Sequence, residues 1–382
     1  MLRFIKVFVA TLFLSLNFGA LLYVNSTFLG TFFSETSVSL LFLAGALGNV
    51  LLFLLAPKLI NVVGKKWLLL ISLVALAAAD LGLNFNLSSW GIGASFVAYS
   101  ALLFAVYYCI DIFLEEESDD ARTGEIRGTY FTVMNAGIAL GPLLLSILPD
   151  DGHFRRIYWV GFLLLVIPIV IALWILITRK HAHRKVLRPW HLLPFRRWWG
   201  MRNVRAATLA KLVLETFFAV MVIYTPLYAH KVAGFDWQEL GIIFAIALVP
   251  FVLLEWPAGK LADKYWGEKE MMTAGFFLTG CALLAIPFLP TSFALWALVL
   301  FLSRVGAALV EIMTETYFFK KIDAADTGLL SIFRLARPAG IMLGAALGSV
   351  SLAFLPFPHL FFILAVVVFF GMKESLFLKD TL

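Results

Sequence analysis

Long apolar runs, each interrupted by a short polar stretch, follow one another along this sequence from end to end. Within a run the hydrophobic residues are continuous. They do not alternate with polar ones, as the strands of a membrane barrel do over about ten residues. A helix needs about 20 such residues to cross a ~30 Å hydrocarbon core. Runs of that length fall at 7–29, 37–56, 67–87, 90–114, 128–148 and 157–178. Six more fall at 206–229, 236–256, 271–289, 293–319, 328–352 and 354–372. The pattern predicts an all-α membrane protein of twelve transmembrane helices, with six-helix bundles at 1–178 and 206–382 and a linker at 179–205.

The charges between the runs orient them. Segments on the side of the N-terminus hold 23 of the 30 lysines and arginines, nine of them between 179 and 205. The opposite side holds Arg155, Arg156 and Lys231, and four more, Lys211, Arg304, Arg334 and Arg337, lie within the spans. Basic residues stay on the cytoplasmic side, so both termini are expected there, in an inner (plasma) membrane. The net charge of +6 then reads as a topology signal and an attraction to anionic lipid headgroups, with no nucleic-acid partner implied. The linker mixes arginines with Trp190, Trp198 and Trp199, which suits an interfacial helix or a solvated linker with aromatic anchors. Arg3 and Lys6 precede the first run as in a signal peptide. The run continues to about Gly30 without a clear small-x-small cleavage site, so it reads as an uncleaved first helix.

Composition argues against a soluble domain. Of 382 residues 62% are hydrophobic and 14% charged, with a mean hydropathy of +0.94; soluble domains run to roughly 45–50% and about 25%. Cys109 and Cys281 lie inside apolar runs, and the histidines form no ligand cluster on a span. No metal or cofactor is expected. Neither a G-x-x-x-x-G-K-[ST] loop nor an H-E-x-x-H helix is present, which weighs against an ATP-driven pump and a membrane-embedded enzyme. The acidic run 115–120 lacks the spaced ligands and turn glycine of a calcium loop and reads as a solvated turn.

The two halves echo each other. After the eighth span stands Gly259-Lys260-Leu261-Ala262-Asp263-Lys264-Tyr265-Trp266-Gly267-Glu268-Lys269, and after the second stands Pro57-Lys58-Leu59-Ile60-Asn61, followed by Gly64-Lys65-Lys66. Thr123-Gly124 opens the fifth span as Thr327-Gly328 opens the eleventh, with Asp111 and Glu315 at matching positions. In these features the chain resembles the major facilitator superfamily, whose loop G-x-L-a-D-[RK]-x-G-[RK]-[RK] joins spans two and three, with a weaker copy between spans eight and nine. Here the better copy is the C-terminal one, with Trp266 as an extra residue, and the N-terminal copy has Asn61 in place of the aspartate. Gly137-x-x-x-Gly141-Pro142 is similar to the family's glycine-proline motif, enriched in antiporters. The resemblance implies two pseudo-symmetric bundles with spans one, four, seven and ten around a central cavity. In the loop, glycines allow a tight turn, and Asp263 either accepts hydrogen bonds from a helix N-terminus of the other half or completes the turn.

Charges within the spans need a reason, because each costs at least ~2.5–3.5 kcal/mol at mid-bilayer. Arg304, Glu311 and Glu315 lie within about 20° of one helical face. Arg334 and Arg337 lie at depths matching Glu315 and Glu311, which reads mainly as a structural or gating network on the cytoplasmic side. Gly340, Gly344 and Gly348 form a small-residue stripe for close helix approach. Lys211 and Glu215 are spaced to pair along one helix, and Glu215 is a candidate proton-coupling carboxylate or half of a static pair with Lys211 or Arg304. Candidate cavity residues of the first half are neutral: Asn17, Tyr23, Asn25, Tyr99, Tyr107 and Tyr108. Asp111 reads as a gate partner, and Asp80, close to the outer interface, needs no special role.

The expectation is a secondary transporter working by alternating access on a small-molecule substrate, proton-coupled or facilitative, monomeric among membrane lipids. The aromatic content and neutral first half lean towards export of amphipathic compounds, and Arg304 towards an organic anion. A receptor or scaffold without transport is the remaining class.

Overall fold

The computed structural model describes residues 5–85, 88–117, 123–147, 154–178, 195–254, 257–258, 266–322 and 327–379. Regular structure is helical throughout, with no strand among the described residues. The chain divides into two compact units, Met1–Ser34 with Leu41–Trp190, and Glu35–Leu40 with His191–Leu382.

The first unit contains α1 (Ile5–Leu22), α2 (Asn25–Gly30), α3 (Glu35–Val63) from Leu41 onward, and α4 (Lys65–Asn84). It continues with α5 (Ser89–Glu117), α6 (Thr123–Leu140), α7 (Leu143–Ile147) and α8 (Arg155–Thr178). The second contains α9 (Phe195–Gly200), α10 (Arg202–Lys231), α11 (Trp237–Leu253) and α12 (Gly267–Ala285). Then follow α13 (Phe293–Lys321), α14 (Thr327–Arg334), α15 (Ala336–Phe354) and α16 (His359–Leu376). Among the described residues ten helices are long and apolar enough to cross a membrane. Shorter apolar helices, Thr132–Ser146 and Trp237–Leu253, stand where the fifth and eighth spans are expected.

Helix breaks follow from proline. Pro142 has no N–H and disfavours helical backbone at Gly141, so α6 stops at Leu140 and α7 restarts at Leu143. The ring of Pro338 would clash with the carbonyl four residues back, that of Arg334, and the chain breaks there between α14 and α15. At the start of α11, Asp236 and Glu239 form a reciprocal capping box, with Glu239 N–H donating to Asp236 Oδ1 at 2.7 Å.

In the first unit α1 packs on α6 and α8, and α4 on α5 and α8. The α1–α6 crossing is backbone on backbone, because a side chain at Gly141 would overlap Gly19. In the second unit α10 packs on α13, α15 and α16, with α12 against α13 and α16. The stripe Gly340, Gly344 and Gly348 lies on α10, where a Cβ at Gly344 would sit 2.6 Å from Ala219 Cβ. Bulky apolar side chains such as Leu51, Leu163, Ile177 and Val366 point outward. A water-soluble surface would not carry so many, but lipid solvates them. About 28% of the apolar stretch of α3 and of α8 is buried, against 78% of α10, which makes α10 a helix enclosed by protein.

Candidate functional site

An enclosed helix that carries charge must supply partners for it, and α10 carries Lys211 and Glu215. One helical turn apart, they pair at 3.4 Å. From α13, Glu311 and Glu315 approach the same ammonium, at 3.5 and 3.3 Å from Lys211 Nζ. Lys211 is thus the centre of three carboxylates. Two arginines close the set, with Arg337 Nε 3.9 Å from Glu215 Oε2 and Arg334 Nη1 3.9 Å from Glu315 Oε1. Exposure rises across the cluster, from 8% and 6% at the Lys211 and Glu215 side chains to 52% and 49% at Arg334 and Arg337.

The pairing differs in part from the depth-matched one. Arg334 meets Glu315, as depth suggests, and Arg337 lies beside Glu215 while its charge also acts on Glu311. The reason is the glycine stripe. Gly340 lets α15 settle directly on the Glu215 backbone, which carries Arg337, three residues earlier, to that carboxylate. Arg304 does not join the cluster. Its guanidinium lies over the Phe217 ring, 5.1 Å from the centroid, and donates to Ser303 Oγ at 3.5 Å. Among the described residues no carboxylate stands within ion-pair distance of Arg304.

In the first unit the candidate cavity residues are buried helix–helix contacts. Tyr99 Oη donates to Asn17 Oδ1 and Tyr158 Oη to Asn25 Oδ1, each at 2.8 Å. Tyr107 and Ser15 share a hydrogen bond of 2.8 Å, and Tyr23 is packed in the core. Tyr108 stacks edge-on against Phe53. Asp80 corrects the sequence reading. Far from being an unremarkable interfacial residue, it is fully buried and accepts a hydrogen bond from Asn17 Nδ2 at 2.9 Å. Its position along α4 is near the helix end, but packing on α8 turns its face inward.

Of the loop motif, Gly259, Asp263 and Lys264 lie outside the described residues, as does the side chain of Asp111. Gly267 opens α12 with φ of 70°, a left-handed conformation that favours glycine. The next residue, Glu268, is buried and ion-paired with Lys320 at the end of α13. Nothing in the local sequence singled out that pair, since its members are far apart in the chain. In the second unit, Lys231 at the end of α10 pairs with Glu35 at 3.2 Å, and Tyr224 hydrogen-bonds Ser39.

Known proteins share this fold. A solved structure of the nucleoside transporter NupG (D323A mutant) superposes with a TM-score of 0.80 at 13% identity, over 97% of this chain and 99% of that one. The peptide transporter POT in complex with sulfate gives a TM-score of 0.77 at 12% identity, over 97% of this chain and 92% of that one. Among curated sequences, an uncharacterized MFS-type transporter of Enterobacter sp. (strain 638) is 24% identical over 57% of this chain and 55% of its own length. The multidrug resistance protein MdtG of Yersinia enterocolitica is 26% identical over 66% of this chain and 62% of its own. The chain therefore spans a little over half the length of the curated relatives it matches. The family model matches residues 7–329 and, overlapping, 238–380, and with this coverage the chain belongs to the Major Facilitator Superfamily.

Proposed function

We propose that this chain is a secondary transporter that moves a small solute across the inner membrane by alternating access, coupled to protons at the Lys211 cluster. The observation that carries the reading is the three-carboxylate setting of Lys211 on an enclosed helix. Lys211, Arg334 and Arg337 face Glu215, Glu311 and Glu315, so the set is electrically balanced when every member is charged. Protonating one carboxylate leaves a net positive charge where charge is expensive and loosens the cation it held. The Glu311 and Glu315 side chains are 31% and 24% exposed, against 6% for Glu215. Glu215 is the enclosed coupling carboxylate, reset by Lys211 and Arg337.

In the same reading the network gates the cytoplasmic side together with Asp111, Gly259, Asp263, Lys264 and Gly267. The bundles 1–178 and 206–382 are the moving parts and 179–205 joins them, in a monomer with both termini cytoplasmic. The excess of basic residues on the N-terminal side supports that orientation. Likeness to a multidrug resistance protein and a 15% aromatic content support amphipathic compounds as cargo. The test uses everted vesicles, an imposed proton gradient and a fluorescent amphipathic cation. Glu215→Gln is expected to bring transport down to the rate seen without a gradient. An unchanged gradient dependence would remove Glu215 as the coupling site.

One observation favours a second cargo class, an organic anion. Arg304 is 3% exposed, and its guanidinium is met by an aromatic face and a hydroxyl, with no carboxylate in ion-pair distance among the described residues. Organic anions are then expected to raise the thermal stability of the detergent-solubilised protein, and Arg304→Ala to abolish the rise. Equal stabilisation of both forms makes Arg304 structural.

A further inference from the structure

Outside the Lys211 cluster, Asp80 is a buried carboxyl with no cation in ion-pair contact among the described residues. Asp80 on α4 is fully buried, and its Oδ2 accepts a single hydrogen bond, from Asn17 Nδ2. Its Oδ1 has no partner. Asn17 is itself committed, because its Oδ1 accepts from Tyr99 Oη, which fixes the amide with its N–H groups towards Asp80. On the other side α8 presses in, and a Cβ at Gly161 would lie 2.9 Å from Asp80 Oδ2 and 3.0 Å from Asn17 Nδ2. The titratable groups facing Asp80 from the packed helices are Tyr99 of α5 and Tyr158 of α8, both hydroxyls. Among the described residues no lysine, arginine or histidine forms an ion pair with it.

A carboxylate held in low dielectric by one amide is poorly stabilised, whereas a neutral carboxyl keeps the same hydrogen bond from Asn17 with no charge to desolvate. A metal cation fits badly, since the neighbour aimed at the carboxyl is an N–H donor and α8 fills the space beside it. A second observation shows where a proton could come and go. Asn84, one turn further along the same face of α4, is buried with neither side-chain atom hydrogen-bonded. A buried amide with both of its polar atoms unpaired is a place ordered water occupies.

We propose that Asp80 is a proton-binding site of the first unit, carried as the neutral acid at neutral pH and exchanging its proton through the Asn84 end of α4. On release the O–H bond at Oδ1 breaks and the proton passes to a water molecule. The pair of electrons stays on the carboxylate, and no other bond changes. The inference does not rest on the transport reading. A facilitator without coupling could hold the same proton, and the Lys211 cluster could couple without it.

Infrared spectroscopy of the full chain in lipid bilayers tests it without any substrate. The C=O band of a protonated carboxylic acid is expected at neutral pH. It should shift when the protein is grown on 4-13C-aspartate, vanish in Asp80→Asn and persist in Glu215→Gln. A wild type without a label-sensitive acid band at neutral pH overturns the proposal, and this arm stands even if Asp80→Asn fails to fold. So does a band that survives Asp80→Asn. In Asn84→Leu the band is expected to respond to D2O more slowly than in the wild type, and an unchanged response overturns the route through Asn84.

Discussion

Removing the Lys211 ammonium would leave Glu215, Glu311 and Glu315 facing one another with only the longer Arg334 and Arg337 contacts to offset them. Breaking a buried ion set by deleting one partner costs about 3–5 kcal/mol. Because Glu311 and Glu315 are partly exposed, Lys211→Met is expected at the lower end, read as a fall in thermal stability in detergent. Adding Glu215→Gln to that variant should recover part of the loss, since one repelling carboxylate is then neutral. If the two losses simply add, Lys211 is held by something other than these carboxylates. Part of this cluster is legible in the chain. The pair Lys211 and Glu215 follows from a spacing of four, and the shared face of Glu311 and Glu315 from the helical period. That the two pairs share one ammonium is not legible, because it depends on how α10 and α13 are rotated against each other.

At the scale of elements, the glycine stripe of α15 sets the approach to α10. Gly344 admits no side chain, its Cβ position lying 2.6 Å from Ala219 Cβ and 3.0 Å from the Thr216 carbonyl. Overpacking of this kind costs about 1–3 kcal/mol. Gly344→Leu is therefore expected to lower stability by about that amount and to shift Arg337 away from Glu215. Val350→Leu on the same helix, 61% exposed and facing outward, should stay within about 0.5 kcal/mol. Equal effects of the two would mean that the stripe is not a packing surface. The stripe itself was readable as small residues every fourth position. Its partner was not, since every spanning helix of the second unit presents apolar residues.

For the whole molecule, the charge asymmetry makes a topological statement that labelling can check. Single cysteines placed beside Lys6 and Lys373 in a variant lacking Cys109 and Cys281 should react with an impermeant maleimide only after the cell is opened. One beside Lys231 should react from outside. Reaction of all three from the same side would overturn the orientation.

The all-helical character and the succession of apolar runs came from the sequence alone, because hydrophobic run length is a local quantity that lipid reads directly, and the sidedness read from flanking charge is an expectation that the labelling tests. The helix breaks at Pro142 and Pro338 fall inside runs read as unbroken, 128–148 and 328–352, although each follows from a missing N–H and a ring. Only the tertiary structure decided which face of each helix meets protein. Asp80 shows the difference plainly. Its depth along α4 was readable, and its burial against Asn17 and α8 was not, since rotation about a helix axis is fixed by neighbours distant in the chain. Arg304 and the Lys211 cluster divide in the same way, with their depth set by the chain and their company by packing.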